Sequence, residues 1–342
     1  MRALVFIGPG RMELEERADP VPARGDVVVA VRAAGICGSD VHGYAGRTGR
    51  RAPGIVMGHE ASGEVVDVGA DVSELRPGDR VALRSILGCG ICPECLAGSP
   101  NRCPTRHGLG IHIDGAYADR VCVPERLAVR LVDGTTFRDG SLIEPLAVAI
   151  HAVNRTPTES GDTAVVIGAG AIGLLIVLAL HDAGVDRVVV TDRDAHRLSV
   201  ARAFGAEQAI DVASVDPVAA VREATGGHGA DVVFEAVGVP VSAGQSLAFV
   251  RPGGNVTWVG NSAPRVEIGM QDLVTGEITL RGAYGEAGEF MMAATAIAEG
   301  RIAVSPLIER VEPLEAGPRV FEELAAGRLD AVKVVLEPEP QP

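Results

Sequence analysis

The chain has 342 residues, about twice the usual length of one domain, so we expect two domains or one domain inserted in another. Its 47% hydrophobic residues, 43 glycines and 3% aromatic residues suit an α/β protein with many small residues and tight turns. The net charge of −14 disfavours phosphate backbones and anionic membrane surfaces, so we expect neither nucleic acid nor a membrane as a partner.

The chain starts with MRALVFIGPG, whose apolar stretch is short for a signal peptide and is followed by no small-residue cleavage site. We therefore expect a cytoplasmic protein. In that compartment closely spaced cysteines indicate a metal site rather than disulfides.

Residues 27 to about 125 are predicted to form a β-rich unit. Gly, Pro and Asp separate short strand-like segments, which read VVVAVRAAG, GEVVDVG, DRVAL and YADRVCV. The concentrated basic run in this region, RTGRR at residues 47–51, is expected to be a solvated loop.

Sparse candidate metal ligands occur in and after this unit. Cys37 lies in GICGSDVHG, His59 and Glu60 lie in MGHEASG, and Glu144 lies in LIEPLAVA. A thiolate, an imidazole and a carboxylate form a mixed, incomplete ligand set, which leaves zinc a position for water or substrate. A single Cys is usually core and a His–Glu pair is usually surface, so only the combination indicates a site.

A second cysteine group lies in GCGICPECLAGSPNRC, with ligands at Cys89, Cys92, Cys95 and Cys103. Four thiolates close a tetrahedron around zinc and leave no open position, which is typical of a structural site. An iron–sulfur cluster is the alternative, but the gap before the fourth cysteine is longer than in ferredoxins. Structural zinc is favoured.

After Asp162 strands alternate with helices, the pattern of a doubly wound parallel sheet. The uncharged run at residues 164–180 is predicted to be a buried strand, a glycine turn and a helix rather than a membrane span. The tail is mixed, so the α/β unit is expected to be inserted between the two ends of the other unit. The final EPEPQP is expected to be frayed.

The segment GAGAIG places Gly168, Gly170 and Gly173 between a strand and a helix. Gly168 permits a tight turn, Gly170 lets a pyrophosphate approach the backbone, and Gly173 lets the helix pack on the strand. Asp192 ends the next strand, where a carboxylate can bind the adenosine ribose and repel a 2′-phosphate. The cofactor is therefore predicted to be NAD rather than NADP, although Arg193 or Arg197 could pair with a phosphate.

These segments resemble the zinc-dependent medium-chain alcohol and polyol dehydrogenases, nearest to the sorbitol (L-iditol), galactitol-phosphate and threonine dehydrogenase branch. The resemblance covers essentially the whole chain. It implies a GroES-like catalytic domain, residues 1–150 and 286–342, and an inserted Rossmann domain, residues 151–285. It also implies a homo-oligomer, either a tetramer or a dimer. The motifs that carry it are GICGSDVHG, VMGHEASGEVVDVG, RPGDRVA, the four-cysteine segment, DGAYADRVCVP, IEPLAVAIHA, GAGAIGLL, RPGGNVTWVG and KVVL.

The resemblance also implies a reaction: reversible hydride transfer between NAD and a secondary alcohol of a polyol, cyclitol or sugar derivative. Two zinc ions are expected per chain, one structural and one catalytic, the latter held by Cys37, His59 and either Glu60 or Glu144. Ser39 and His42 resemble the family's proton relay to solvent. The other residues expected to bind the dinucleotide are Ile172, Asp192, Arg193, Arg197, Val237, Val259, Gly260 and Ala283.

The chain departs from the sorbitol dehydrogenases at two substrate-side positions. Gly43 stands where they have a tyrosine, and Gly285 stands where they have a substrate-binding arginine. Sorbitol itself is therefore doubtful as the substrate. The arginines of the 47–51 run raise the hypothesis of an anionic substrate, although a solvated loop is the simpler interpretation.

Two other functions fit parts of the sequence. One is a regulatory or nucleic-acid-binding protein on an inactive dehydrogenase scaffold, with Arg84, Arg102 and Arg106 near a contact surface on the four-cysteine segment. The net charge and the intact ligand set oppose it. The same ligand residues oppose a zinc-free reductase.

Overall fold

The computed structural model describes residues 1–338, and residues 339–342 of the predicted frayed end lie outside that range. The strands are β1 (Arg2–Gly8), β2 (Arg11–Glu16), β3 (Asp26–Gly35), β4 (Glu60–Val68), β5 (Arg80–Leu83), β6 (Ile86–Leu87), β7 (His107–Gly108), β8 (Arg120–Pro124), β9 (Ala128–Arg130), β10 (Thr163–Ile167), β11 (Arg187–Asp192), β12 (Gln208–Asp211), β13 (Ala230–Glu235), β14 (Val250–Trp258), β15 (Thr279–Gly282), β16 (Ile308–Pro313) and β17 (Lys333–Glu337). The α-helices are α1 (Gly38–Tyr44), α2 (Pro93–Leu96), α3 (Phe137–Ser141), α4 (Ile143–Asn154), α5 (Ala171–Asp182), α6 (Ala195–Ala203), α7 (Pro217–Ala224), α8 (Pro240–Phe249), α9 (Met270–Thr275), α10 (Glu289–Ala298) and α11 (Gly317–Ala325).

The chain divides into two compact units. The first comprises Met1–Glu144 and the segment from Gly285 onward, and the second is Pro145–Tyr284. The sequence placed these boundaries after residues 150 and 285. The first observed boundary falls earlier, near the start of α4, because the change in sequence pattern occurs only after that helix and does not reveal which unit the helix joins.

The first unit is built on a seven-stranded sheet in the order β16-β17-β3-β4-β5-β9, with β8 also paired to β3. Most residues of β3 are buried, as expected for a strand with neighbours on both edges. Side chains from this sheet, from β1, from α11 and from the segment before β8 form the unit's core, which includes Leu4, Val29, Leu83, Tyr117 and Phe321. The predicted β-rich unit is confirmed.

The register of β3 brings distant segments to one end of the sheet. Gly35, the last residue of β3, pairs with Glu60, the first residue of β4, and also with Val335 of β17. Cys37 therefore lies just beyond the end of β3 and beside the start of the antiparallel β4, where His59 precedes Glu60. Lys333, at the start of β17, reaches the same end.

The second unit is a six-stranded parallel sheet in the order β12-β11-β10-β13-β14-β15, with helices between successive strands. The predicted doubly wound α/β fold is confirmed. The strand order reverses at β10, which has β11 on one side and β13 on the other, and ligands of such sheets bind outside the carboxyl ends at that point.

The apolar run at residues 164–180 forms β10 and most of α5, as predicted. Within residues 1–338, no helix is long and apolar enough to cross a membrane.

Candidate functional site

Three of the predicted catalytic ligands converge in the first unit. The ligand atoms of Cys37, His59 and Glu60 all lie within 4.8 Å of one another, and the latter two residues are buried. The β3–β4 register produces this group, since no short-range pattern joins positions 37 and 59.

Helix α1 fixes the position of Cys37. Cys37 is its N-cap residue, and its Sγ accepts a hydrogen bond from the backbone N–H of Ser39 at 3.5 Å. The backbone N–H of Cys37 in turn donates to Oδ2 of Asp40 at 3.4 Å, which completes a reciprocal cap. These two hydrogen bonds fix the place of the sulfur, and a cysteine sulfur binds metal as the thiolate.

Asp40 is a buried anion beside the converging ligands, and the sequence analysis did not identify it. Its Oδ2 accepts a hydrogen bond from the Tyr117 hydroxyl at 2.6 Å, and its Oδ1 lies 3.4 Å from Nδ1 of His59. Burial raises the pKa of Asp40, but the charges of His59 and Arg51 and the Tyr117 bond outweigh burial and hold that pKa well below its usual range. Asp40 is therefore a carboxylate.

Glu60 is held by a buried lysine that the sequence analysis also missed. Nζ of Lys333 lies 2.6 Å from Oε2 of Glu60 and donates to the carbonyl of Ile36 at 3.1 Å. Burial lowers the pKa of Lys333, but the Glu60 and Cys37 charges raise it above its usual value, so the lysine is a cation. Gly35 leaves the space for this pair, because a Cβ there would lie 2.5 Å from Oε2 of Glu60.

Glu144, the alternative carboxylate ligand, is buried nearby but is not in the converging group of three. Burial raises the pKa of its carboxyl to about 7; His59, Ser85 and Lys333 oppose this rise, and Glu60 adds to it. Glu144 can therefore gain or lose a proton near neutral pH.

The predicted relay residues lie on α1. Ser39 is exposed and His42 is half-buried. Burial, and secondarily the charge of Arg47, lower the pKa of His42 below its usual value, so the ring is neutral at pH 7 and able to accept a proton.

The converging group fits zinc by its chemistry. Thiolate, imidazole and carboxylate are all zinc ligands, and three protein ligands leave a fourth position open. Because Nδ1 of His59 faces Asp40, the other ring nitrogen remains for a metal, as in carboxylate–histidine–metal arrangements.

The second cysteine group is also assembled. The sulfurs of Cys89, Cys92, Cys95 and Cys103 lie within 4.8 Å of one another. Backbone N–H groups point at them: Cys92 donates to Cys89 at 3.3 Å, and Cys89 donates to Cys103 at 3.4 Å. Four sulfurs with no other ligand type fit a closed zinc site.

The predicted glycine loop lies between β10 and α5 in the second unit. Gly168 has a φ of +99°, which a residue with a side chain rarely adopts. A Cβ at Gly173 would overlap the carbonyl oxygen of Gly168, whereas a Cβ at Gly170 would meet nothing within 4 Å. The loop is thus closed toward the protein at Gly173 and open at Gly170, as a pyrophosphate site requires.

Asp192 ends β11 beside this loop. Its Oδ2 accepts from the backbone N–H of Ala169 at 2.7 Å, and its Oδ1 accepts from Arg193 at 2.7 Å and Asp194 at 3.0 Å. The carboxylate therefore holds the loop in place. Arg193 is exposed and Arg197 is half-buried on α6.

The other predicted cofactor residues also gather at the carboxyl edge of this sheet. Glu235, which the sequence analysis missed, is buried at the end of β13 and accepts from the backbone N–H groups of Val237 at 2.9 Å and Gly238 at 2.7 Å. In the sequence, Glu235 is marked only as an acidic residue at the end of an apolar strand.

The predicted cofactor residues outside the glycine loop and β11 begin α5 or follow β13, β14 and β15: Ile172, Val237, Val259, Gly260 and Ala283.

The basic run differs from its predicted form. Arg47 and Arg50 are exposed, as a solvated loop predicts, but Arg51 is buried and its Nη2 lies 2.5 Å from Oδ1 of Asp40. Periodicity does not reveal this partner, because Asp40 lies on a different element. Arg51 is therefore neither a loop residue in solvent nor free to bind an anionic substrate.

The arginines near the four-cysteine group are paired within the protein. Nη1 of Arg84 lies 3.1 Å from Oε1 of Glu286, and Nε of Arg102 lies 2.5 Å from Oε2 of Glu94. Arg106 donates to the carbonyl of Cys103 at 3.1 Å. These contacts weaken the case for a nucleic-acid surface there.

Comparisons with known proteins agree with this geometry. The family described as alcohol dehydrogenase GroES-like domain matches residues 23–133, and the family described as zinc-binding dehydrogenase matches residues 171–299. A sorbitol dehydrogenase of Halalkalibacterium halodurans is 33% identical, over 99% of this chain and 99% of its own.

Two solved structures are similar over nearly the whole chain. A zinc-binding dehydrogenase of Sinorhizobium meliloti bound to NADP has a TM-score of 0.92 and 32% identity, covering 98% of this chain and 99% of its own. Galactitol-1-phosphate dehydrogenase of Escherichia coli has a TM-score of 0.92 and 26% identity, covering 99% and 100%.

Proposed function

Because the chain belongs to the family of zinc-binding medium-chain alcohol and polyol dehydrogenases, we propose that it transfers a hydride between NAD and a secondary alcohol of a polyol, cyclitol or sugar derivative. The sequence motifs predicted this family. One observation carries the proposal: the ligand atoms of Cys37, His59 and Glu60 converge within 4.8 Å of one another. This donor set suits zinc with a position left for substrate.

Each of the site residues in the first unit then has a defined task. Cys37, His59 and a carboxylate hold the catalytic zinc, which when bound supplies a Lewis acid that eases deprotonation of an alcohol near neutral pH. Asp40 orients the His59 ring. Ser39 and the neutral His42 carry the released proton toward solvent. The four-cysteine group holds a second zinc, which stabilises the fold.

Glu60 is proposed as the resting carboxylate ligand, since it belongs to the converging group and Glu144 does not. Glu60→Gln should therefore lose the catalytic zinc and turnover together, whereas Glu144→Gln should keep the zinc. Zinc content per chain and turnover, measured on both variants, check this. Loss of zinc from Glu144→Gln alone would assign the ligand to Glu144. Because Glu60→Gln also leaves Lys333 without its buried counter-charge, its melting temperature is measured alongside.

NAD is proposed as the cofactor because of the Asp192 carboxylate, which would repel a 2′-phosphate. Asp192→Asn removes the charge; its amide oxygen keeps one of the two acceptor positions that hold the loop, and its amide nitrogen replaces the other. We expect the preference of kcat/KM for NAD over NADP to fall about 10-fold or more, since a hydrogen bond to a charged group contributes about 1.5–3 kcal/mol.

The control for this substitution is Asp211→Asn. Asp211 pairs with Asp192 across the sheet, and its carboxylate accepts from the N–H of Ala213 and from the Ser214 hydroxyl. The control should keep the cofactor ratio of the unaltered protein. An unchanged ratio in Asp192→Asn would remove the basis for preferring NAD.

The function is tested by NADH formation on a panel of neutral polyols, inositols, amino-cyclitols and sugar phosphates. We expect turnover on a neutral polyol or cyclitol, a class supported by the relative named for sorbitol. Faster turnover of sugar phosphates would instead favour an anionic substrate. Zinc-loaded protein that oxidises no alcohol on the panel would contradict the proposed function.

We propose further that the protein is a homo-oligomer, a dimer or tetramer, as the resemblance implies, and that its reaction partner is a small molecule. A reducing compartment such as the cytoplasm is proposed because the zinc-binding cysteines must remain reduced to hold metal.

A further inference from the structure

Arg51 is a buried cation next to the proposed catalytic site. Its residue surface is 8% exposed, and its Nη2 lies 2.5 Å from Oδ1 of Asp40, a fully buried carboxylate. A buried charge is costly unless a partner compensates it, so the two side chains depend on each other for their positions. The neighbouring Arg47 and Arg50 are exposed, so burial distinguishes Arg51 from the rest of the basic run.

The space that Arg51 occupies exists because residue 43 is glycine. A Cβ at Gly43 would lie 2.7 Å from Cδ of Arg51 and closer still to Nη1. Gly43 lies within α1, where alanine would ordinarily form the better helix. The guanidinium therefore fills the place of a side chain on α1.

Asp40 transmits this contact to two of the three converging residues. Through Oδ1 it faces Nδ1 of His59 at 3.4 Å, and through Oδ2 it accepts the backbone N–H of Cys37 at 3.4 Å. The Tyr117 hydroxyl holds Oδ2 from the other side at 2.6 Å. A shift of the Asp40 carboxylate would consequently turn the His59 ring and move the Cys37 backbone together.

We propose that Arg51, admitted by Gly43, is a positioning residue for the catalytic metal: it fixes Asp40, and Asp40 fixes Cys37 and His59. This rests on the proposed function only in that the converging group is taken to bind zinc. Removing the guanidinium leaves Asp40 without its closest cation and opens space over Gly43, so the two ligands lose their common support. Groups that orient metal ligands typically change metal affinity about 10–100-fold when replaced.

The test compares Arg51→Met with Arg50→Met, the adjacent exposed arginine of the same run. The zinc affinities of the full-length proteins are measured by competition with a chromophoric chelator, and Cys37→Ser identifies which of the two zinc ions is catalytic. Arg51→Met should lower the affinity for the catalytic zinc about 10–100-fold and leave the affinity of the four-cysteine group for zinc unchanged. Arg50→Met should match the unaltered protein.

Gly43→Ala provides a second variant that removes no polar group. It should displace the guanidinium and lower the affinity for the same zinc ion. The double variant should bind that zinc little more weakly than Arg51→Met alone, because both changes act through one contact. Cobalt substituted for zinc should show altered visible absorption bands in Arg51→Met and Gly43→Ala but not in Arg50→Met. A merely structural arginine would lower the melting temperature without moving those bands.

The proposal is overturned if folded Arg51→Met binds both zinc ions with unchanged affinity and gives an unchanged cobalt spectrum. It is also overturned if both zinc sites weaken equally, since that result indicates general loosening of the unit. A failure of the proposed function is distinguishable, because the unaltered protein would then bind the zinc ions and oxidise no alcohol, whatever the behaviour of the Arg51 variants.

Discussion

Replacing Cys37 by serine is expected to lower NAD-linked turnover at least about 1000-fold, because zinc supplies several kcal/mol of stabilisation to the reaction's transition state. The fold should remain, since Cys37 caps α1 by accepting the N–H of Ser39 and serine is itself a favoured N-cap residue. The measurement is kcat/KM on the best substrate of the panel, together with zinc per chain, which should fall by one ion.

Cys122→Ser is the matched control for this variant. Cys122 is half-buried on β8 and belongs to neither the converging group nor the four-cysteine group. It should keep its zinc and its turnover. If Cys37→Ser retained both as well, the catalytic role of the converging group would be wrong.

Replacing Cys92 by serine should have the opposite pattern, with a large loss of stability and a smaller direct effect on chemistry. The binding free energy of a closed zinc site is part of the folding free energy, so losing one of four ligands should lower the melting temperature on the order of 10 °C. Cys92 caps α2, and serine can preserve that cap, so the loss reports on the metal rather than on the helix. Differential scanning calorimetry with zinc analysis measures it.

Turnover of the Cys92→Ser protein below its lowered melting temperature provides the contrast with Cys37→Ser. We expect the surviving folded fraction to oxidise the same substrate. Unchanged stability with abolished turnover would reverse the roles assigned to the two cysteine-containing groups.

The features of the protein that its sequence predicts depend on local patterns. The four-cysteine spacing and the glycine loop each lie within one short segment, and the structure places their atoms together. The strand–helix alternation after Asp162 predicted the doubly wound sheet because each crossover contains its own helix.

The scattered ligands are a different case. Cys37, His59 and Glu60 were identified by the resemblance and by their chemical types, and their convergence depends on the pairing of Gly35 with Glu60. Register between antiparallel strands is set by packing over the whole sheet, so spacing along the chain cannot supply it.

The residues that support those ligands were not predicted at all. Asp40, Tyr117 and Lys333 come from three separate regions of the chain. The Tyr117 hydroxyl contacts Asp40, and Nζ of Lys333 lies 2.6 Å from Oε2 of Glu60. Arg51 was predicted to be solvated because a basic run usually is, whereas a buried carboxylate on α1 and a glycine at position 43 give it an internal position. Such pairs carry no periodic signal, since they depend on contacts between elements.

A timed chelator titration of the unaltered protein tests whether the two metal groups divide catalysis and folding between them. Zinc content, NADH formation and the near-UV circular dichroism are recorded on the same samples. We predict that turnover disappears with one of the two zinc ions while the near-UV spectrum persists, and that the spectrum changes only as the other zinc leaves. Loss of the spectrum and of turnover with the same zinc ion, or turnover that persists after one zinc is gone and ends only with the folded structure, would contradict the division.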